Sequence, residues 1–203
     1  MYKVFIDHKP IILVNPTKIK NEWISIESEL IKNISKDITK QLKLASLDEP
    51  LQIVCQNCET EFSRLFKKHT IIKAAGGVVR NTKGILMIYR NDLWDIPKGK
   101  VEKKEKIKVA AVREVEEECG INGPMIQKKL INTYHTYTYK KKKVLKKTYW
   151  FVMDYNGKDK LVPQTKEGIT KVKWMSKDEF ISVRGNTYGS INAVIEAYDE
   201  NYF

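Results

Sequence analysis

The chain has 203 residues, 42% of them hydrophobic and 31% charged, enough apolar material for a buried core and too much for a disordered chain. No apolar run approaches the roughly 20 residues of a membrane span, charge enters too early for a signal-peptide core, and three cysteines make no disulfide framework, so the reading is a cytoplasmic protein of one or two domains. Lys and Arg number 37 against 25 Asp and Glu, a net charge of +12 of which about +2 falls in the first 70 residues and +10 in the rest, and such a field favours an anionic partner.

In chain order, residues 4–6 and 11–14 are expected to pair as a hairpin around Asp7-His8-Lys9-Pro10. Between 27 and 44, Leu30, Ile31, Ile34, Ile38 and Leu42 recur at three and four residues and predict an amphipathic helix. A buried strand is predicted at 51–54 and a second helix at 59–68, completing a small α/β unit over residues 1–70. Strands are predicted at 71–80 and 85–89 about the turn Asn81-Thr82-Lys83-Gly84, followed by a loop through Pro97, Lys98, Gly99 and Lys100. A helix is predicted at 106–119, stopped by Gly120, and then strands at 131–139, 147–154 and 170–175 and helices at 177–182 and 190–198. Residues 71–203 are read as the second domain.

The helix before Gly120 carries the chemistry. Glu114, Glu117 and Glu118 fall within an arc of roughly 100°, and Val112, Val115 and Cys119 lie on another face. Three carboxylates so placed repel one another, and they sit at the negative end of the helix dipole. A hard divalent cation, which binds carboxylate oxygens, removes that conflict.

The spacing around the helix is more specific. Gly99, Glu105, Arg113-Glu114-Val115-Glu116-Glu117-Glu118-Cys119-Gly120 and Ile121 read Gly-x5-Glu-x7-Arg-Glu-U-x-Glu-Glu-x-Gly-U, where U is aliphatic. Over residues 99–121 this resembles the signature of the Nudix (MutT-like) hydrolases at every fixed position. Ala74-Ala75-Gly76-Gly77-Val78-Val79, Trp94-Asp95-Ile96-Pro97-Lys98-Gly99 and Val172-Lys173-Trp174-Met175 are also similar to that family, and the likeness covers about residues 70–200. Lys104 stands where many members carry Gly.

The resemblance implies a Nudix α/β/α sandwich with a mixed sheet, and metal-assisted attack of water on a pyrophosphate phosphorus in a nucleoside diphosphate linked to another group. It implies Mg2+ (or Mn2+) held by Glu114 and Glu118, with Glu117 contributing or activating water and the Lys98 carbonyl as a further ligand. By the same resemblance Arg113 orients the glutamates, Glu105 holds Arg113 or the loop, and Glu167, in a loop beyond the motif, is an extra base or ligand.

For the substrate, a dinucleoside polyphosphate or a related polyphosphate is the leading expectation. Sensing of a nucleotide without turnover, and removal of oxidised nucleoside triphosphates, are the alternatives. Lys98, Lys100 and Arg90 are candidate phosphate contacts. His135 and Tyr137 share one face of a strand on which a base could stack. Residues 140–147 read as a lysine-rich hairpin tip, either gripping distal phosphates or simply solvated. Only 5 of the 37 basic residues are Arg, the usual residue for base readout, so nucleic acid is not the expected partner. Cys55 and Cys58 read as two small buried thiols rather than a zinc or redox site. The first 70 residues are expected to cover substrate or to form a homodimer contact.

Overall fold

The computed structural model describes residues 1–6, 9–21, 23–28 and 51–202. The helix expected over 27–44 lies outside them, apart from Glu27, which ends a strand, and Ser28. Contacts divide the chain into one unit of Met1–Ile71 with Tyr134–Lys146, and another of Ile72–Thr133 with Lys147–Phe203. Residues 134–146 thus group with the first unit, and residues 72–133 with the second.

In the first unit, β1 (Tyr2–Ile6) and β2 (Lys9–Val14) pair antiparallel with Val4 opposite Ile11. β4 (Leu51–Val54) pairs parallel with β2 on one side and with β3 (Ile24–Glu27) on the other. The remaining edge of β1 pairs parallel with Tyr134, His135 and Thr136. Helix α1 (Cys58–Phe66) starts at Asn57, whose side chain accepts hydrogen bonds from the Glu59 and Thr60 amides and satisfies two donors of the first turn. Phe62 and Phe66 pack with Val4, Tyr134 and Leu145, and the Tyr2 and Phe62 rings stack at 4.4 Å. The Cys55 and Cys58 sulfurs lie 2.8 Å apart, both buried, and burial first, then the neighbouring thiol, pushes Cys55 up to about 12. At neutral pH that thiol stays protonated and is a poor nucleophile.

The second unit is a sheet between helices. Its strands run β11 (Ile169–Met175), β6 (Gly84–Arg90), β5 (Thr70–Asn81), β10 (Lys142–Asp154), β9 (Met125–Tyr139), and the short β7 (Leu93–Asp95) and β8 (Lys98–Lys100) pair with β6 and β5. The last two strands of that order also run on into residues 134–146 of the first unit. Alternation explains why β5, β6 and β10 read as continuous apolar runs, since both faces are covered. Ala75, Val79, Leu86, Ile88, Phe151 and Met153 meet Ala110, Ala111, Val115 and Cys119 of α2 (Ile107–Cys119). Val78, Met87, Trp150 and Val152 face the other way, toward Phe180 of α3 (Lys177–Val183) and Ile191, Val194, Ile195 and Tyr198 of α4 (Gly189–Tyr202). This is the sandwich the sequence predicts.

Three details differ from the sequence reading. Lys98–Lys100, expected in a loop, is a strand opposite Ala74–Gly76. The hairpin tip expected over 140–147 is a turn of only two residues, Lys140 and Lys141, with φ 46° and 62°, while Lys142 to Lys147 belong to β10. Lysines do not signal a left-handed turn as Asn-Gly does, which is why the turn reads longer in sequence. The edge strand β3 is too short and too exposed to announce itself.

Helix α3 opens with a reciprocal capping box in which Ser176 accepts from the Glu179 amide and Glu179 accepts from the Ser176 amide. Ser176→Ala is expected to lower stability by about 1 kcal/mol, measured as a shift of the urea midpoint at unchanged slope.

Candidate active site

Helix α2 ends where Gly120, at φ 70°, donates its amide to the Glu116 carbonyl. That left-handed cap ends the helix two residues past Glu118, so the carboxylates lie in its last turn and a half. The inner face of α2 enters the core through Ala110, Ala111, Val115 and Cys119, and this anchors Glu114 and Glu118 against β8.

Glu118 is 0% exposed. Its Oε2 accepts the Lys98 backbone N–H at 2.7 Å, while Oε1 has no hydrogen-bond partner and lies 3.9 Å from Arg90 Nη1. Burial, opposed by the Lys98 ammonium and amide, pushes this carboxyl up to about 7. Glu114 is also buried, and desolvation raises it despite Arg113. Its carboxylate occupies the space beside Gly99 where any side chain would stand: a Cβ there would lie 1.9 Å from Glu114 Oε2.

Arg113 gathers the rest. It donates Nε and Nη2 to the two Glu105 oxygens at 2.8 and 3.1 Å, Nη1 to Glu117 Oε2 at 2.9 Å and Nη2 to the Lys100 carbonyl at 3.2 Å, and it pairs with Glu114 Oε1 at 2.9 Å. These partners, Glu105 first, raise its pKa, and Arg113 in turn holds Glu105 below the usual carboxylate range. Glu105 also accepts the Glu102 amide at 2.8 Å, so it ties the loop to the helix. Arg90 stands between Glu118 and Glu167, 3.4 Å from Glu167 Oε2, which brings the carboxylate beyond the motif to the same cluster.

Lys98 departs from its expected role. Its ammonium, read as a mobile phosphate contact, is held at 2.5 Å by Asp95, a carboxylate only 4% exposed that also accepts the Ile96 amide at 2.7 Å. Burial opposes the Lys98 charge, but Asp95 and then Glu118 outweigh it and the pKa is raised. Asp95 is the residue that sequence reasoning passed over. Its signal was an acid between the apolar Trp94 and Ile96, three residues ahead of a lysine. Lys100 keeps an exposed position on β8. His135 and Tyr137 belong to the first unit, their rings 5.7 Å apart.

Among the described residues no three His, Cys, Asp or Glu groups converge tightly enough to hold a metal as they stand. In this cluster Arg113 holds Glu114 and Glu117, and the Lys98 amide holds Glu118. The donors nevertheless fit a hard divalent cation. They are all carboxylate oxygens, two of the three carboxylates are buried, and Glu118 Oε1 is an orphaned acceptor.

The family model of the NUDIX domain matches residues 70–195. The chain belongs to the Nudix family. A Bacillus subtilis (strain 168) protein named for 8-oxo-dGTP diphosphatase activity is 42% identical over 53 residues, a match that covers 25% of this chain and 36% of that protein. A Nudix hydrolase from Nitrosomonas europaea shares the fold with a TM-score of 0.51 at 20% identity, over 65% of this chain and 90% of that one. A bifunctional NMN adenylyltransferase/ADP ribose pyrophosphatase from Francisella tularensis, complexed with AMP and a manganese ion, shares it with a TM-score of 0.50 at 20% identity, over 85% of this chain and 52% of that one. Within this Nudix domain the matched region contains every residue of the cluster, from Arg90 to Glu167. No helix of the described residues is long and apolar enough to cross a membrane.

The raised Glu118 pKa has a measurable consequence for the metal-free protein. Folding lifts this carboxyl from 4.5 to about 7, so between those pH values the folded state binds more protons than the unfolded one. Stability is therefore expected to fall as pH rises through that window, by up to about 3 kcal/mol in total from this group. Glu118→Gln, which cannot titrate, is expected to lack this component, so the difference between the two unfolding free energies should grow from pH 5 to pH 8.

Proposed function

We propose that the chain hydrolyses a pyrophosphate bond in a nucleoside diphosphate linked to another group, with dinucleoside polyphosphates as the preferred substrate class. The observation that carries this reading is the clustering of Glu114, Glu117 and Glu118 by Arg113 and the Lys98 amide around a buried Glu118 oxygen that has no hydrogen-bond partner. Glu114, Glu117 and Glu118 would hold Mg2+ or Mn2+, which cancels phosphate charge and lowers the pKa of bound water. Glu117, with its side chain 46% exposed, is placed to meet solvent and is the proposed base, and Glu167, 43% exposed beyond Arg90, is the second candidate. Arg90 and Lys100 supply positive charge for phosphate oxygens. Glu105 acts through Arg113 as a positioning residue, and Asp95 acts likewise through Lys98. A soluble nucleotide substrate is consistent with a cytoplasmic enzyme.

Arg113→Lys is expected to lower turnover by about 10- to 100-fold, because one ammonium cannot span three carboxylates and a carbonyl as the guanidinium does. Steady-state kinetics would read it, with Lys108→Arg on the outer face of the same helix as the neutral comparison.

Substrate class is tested by kcat/KM for diadenosine tetraphosphate, ADP-ribose and 8-oxo-dGTP at fixed Mg2+. The expected order puts diadenosine tetraphosphate ahead by at least about 10-fold, the discrimination of roughly 1.4 kcal/mol in transition-state binding. A higher value for 8-oxo-dGTP would move the assignment to oxidised triphosphates, as the name of the Bacillus subtilis relative suggests. Nucleotide binding with no turnover of any of the three would replace hydrolysis by sensing.

A further inference from the structure

The 35 residues between Glu118 and Asp154 contain eight lysines and not one carboxylate. Five of those lysines, at 140, 141, 142, 143 and 146, lie in the stretch that packs with the first unit, where the β9–β10 hairpin turns. The turn is made by Lys140 and Lys141, both in the left-handed region that glycine and asparagine occupy more readily than lysine. Folding alone would favour Asn-Gly there, so two lysines at the tip indicate that charge is wanted at that point.

The same strand carries rings. Tyr134 and Thr136 point into the core, and by alternation His135, Tyr137 and Tyr139 share the opposite face. His135 and Tyr137 have ring centroids 5.7 Å apart, and Tyr139 is 57% exposed with the Lys140 ammonium 5.4 Å from its ring centre. The observed 5.7 Å between the His135 and Tyr137 rings is well above the roughly 3.4 Å of stacked nucleotides, so the ladder suits bases splayed apart from one another.

We propose that the tip of the β9–β10 hairpin binds single-stranded nucleic acid, with His135, Tyr137 and Tyr139 as the stacking face and Lys140, Lys141 and Lys142 on the phosphates. Stacking on rings and point charges on phosphates read neither base identity nor the sugar, so the binding is independent of sequence. The scarcity of arginine argues against sequence-specific base readout and is compatible with this mode. The inference does not depend on the hydrolase reading.

The test is fluorescence anisotropy of the full chain with 5′-hydroxyl oligothymidylate and oligouridylate of about 12 nucleotides, within the site sizes of such surfaces, which carry no pyrophosphate. Both are expected to bind with similar affinity, and a duplex of the same length at least about 10-fold more weakly. The triple substitution Lys140→Glu, Lys141→Glu, Lys142→Glu is expected to weaken binding at least about 10-fold and to flatten the slope of log affinity against log salt by about 2, at roughly 0.7 per phosphate contact. Tyr139→Ala is expected to cost about 5- to 100-fold at an unchanged slope, and Tyr139→Phe to retain binding. Lys140→Asn with Lys141→Gly should raise the melting temperature by relieving the turn and yet weaken binding, which separates lost charge from lost folding. Equal binding of duplex, a Tyr139→Ala chain that binds as well as the parent, or competition by inorganic polyphosphate charge for charge would each overturn the proposal.

Discussion

Replacing Glu118 with Gln is expected to reduce kcat by at least ~10²-fold, several kcal/mol of transition-state stabilisation, and to leave the fold intact. Glutamine keeps the shape and can still accept the Lys98 N–H through its carbonyl oxygen, but it removes the charge from the buried position opposite Arg90. The sign of the stability change makes this prediction specific. Glu118 is fully buried with one oxygen that accepts no hydrogen bond and a carboxyl raised to about 7, so at pH 8 the metal-free protein carries a desolvated charge that glutamine lacks. The variant should therefore unfold at a higher urea concentration than the parent, by about 1–3 kcal/mol in the absence of metal, while being nearly inactive. A residue conserving structure alone would lose stability and activity together.

Gly99→Ala is expected to separate the same two quantities by a different route. The added Cβ would lie 1.9 Å from Glu114 Oε2 and 2.1 Å from its carboxyl carbon, so the carboxylate must move. It is the far end of a flexible side chain, and its displacement is expected to change stability by less than about 1 kcal/mol. Catalysis is more exacting, because shifts of about 1 Å in a positioned group cost on the order of 10²-fold. The kinetic loss should appear in kcat and in the Mg2+ concentration at half-maximal rate, with a unfolding midpoint close to that of the parent. A full-activity Gly99→Ala enzyme would show that Glu114 does not need the place it occupies beside β8.

The motif over residues 99–121 was legible because its chemistry depends on helical spacing: Glu114, Glu117 and Glu118 are neighbours on any α-helix, and Gly120 ends it. The sandwich was legible for a related reason, since strands buried on both faces read as unbroken apolar runs. What the sequence concealed depends on groups far apart or on backbone approach. The space that Gly99 leaves for Glu114 exists only once β8 lies against α2. Lys98 looked like a solvent-facing phosphate contact, and only the fold shows that Asp95 takes its ammonium into the interior. The meeting of Arg90 with Glu118 and Glu167 joins three elements with no shared pattern. At the hairpin, lysines stand in a turn whose usual residues they are not, so the two-residue tip could not be read from composition. Residues 134–136 pair with β1 by a parallel contact, and nothing local to either segment announces such long-range pairing.

The most direct test of the glutamate cluster as a hydrolytic centre is the release of nucleotide products from diadenosine tetraphosphate by the full chain, first in excess chelator and then across a Mg2+ titration. No turnover is expected in chelator, and a saturable rise is expected with Mg2+. Turnover in chelator equal to that in Mg2+, or saturable nucleotide binding with no product at any Mg2+ concentration, would contradict it.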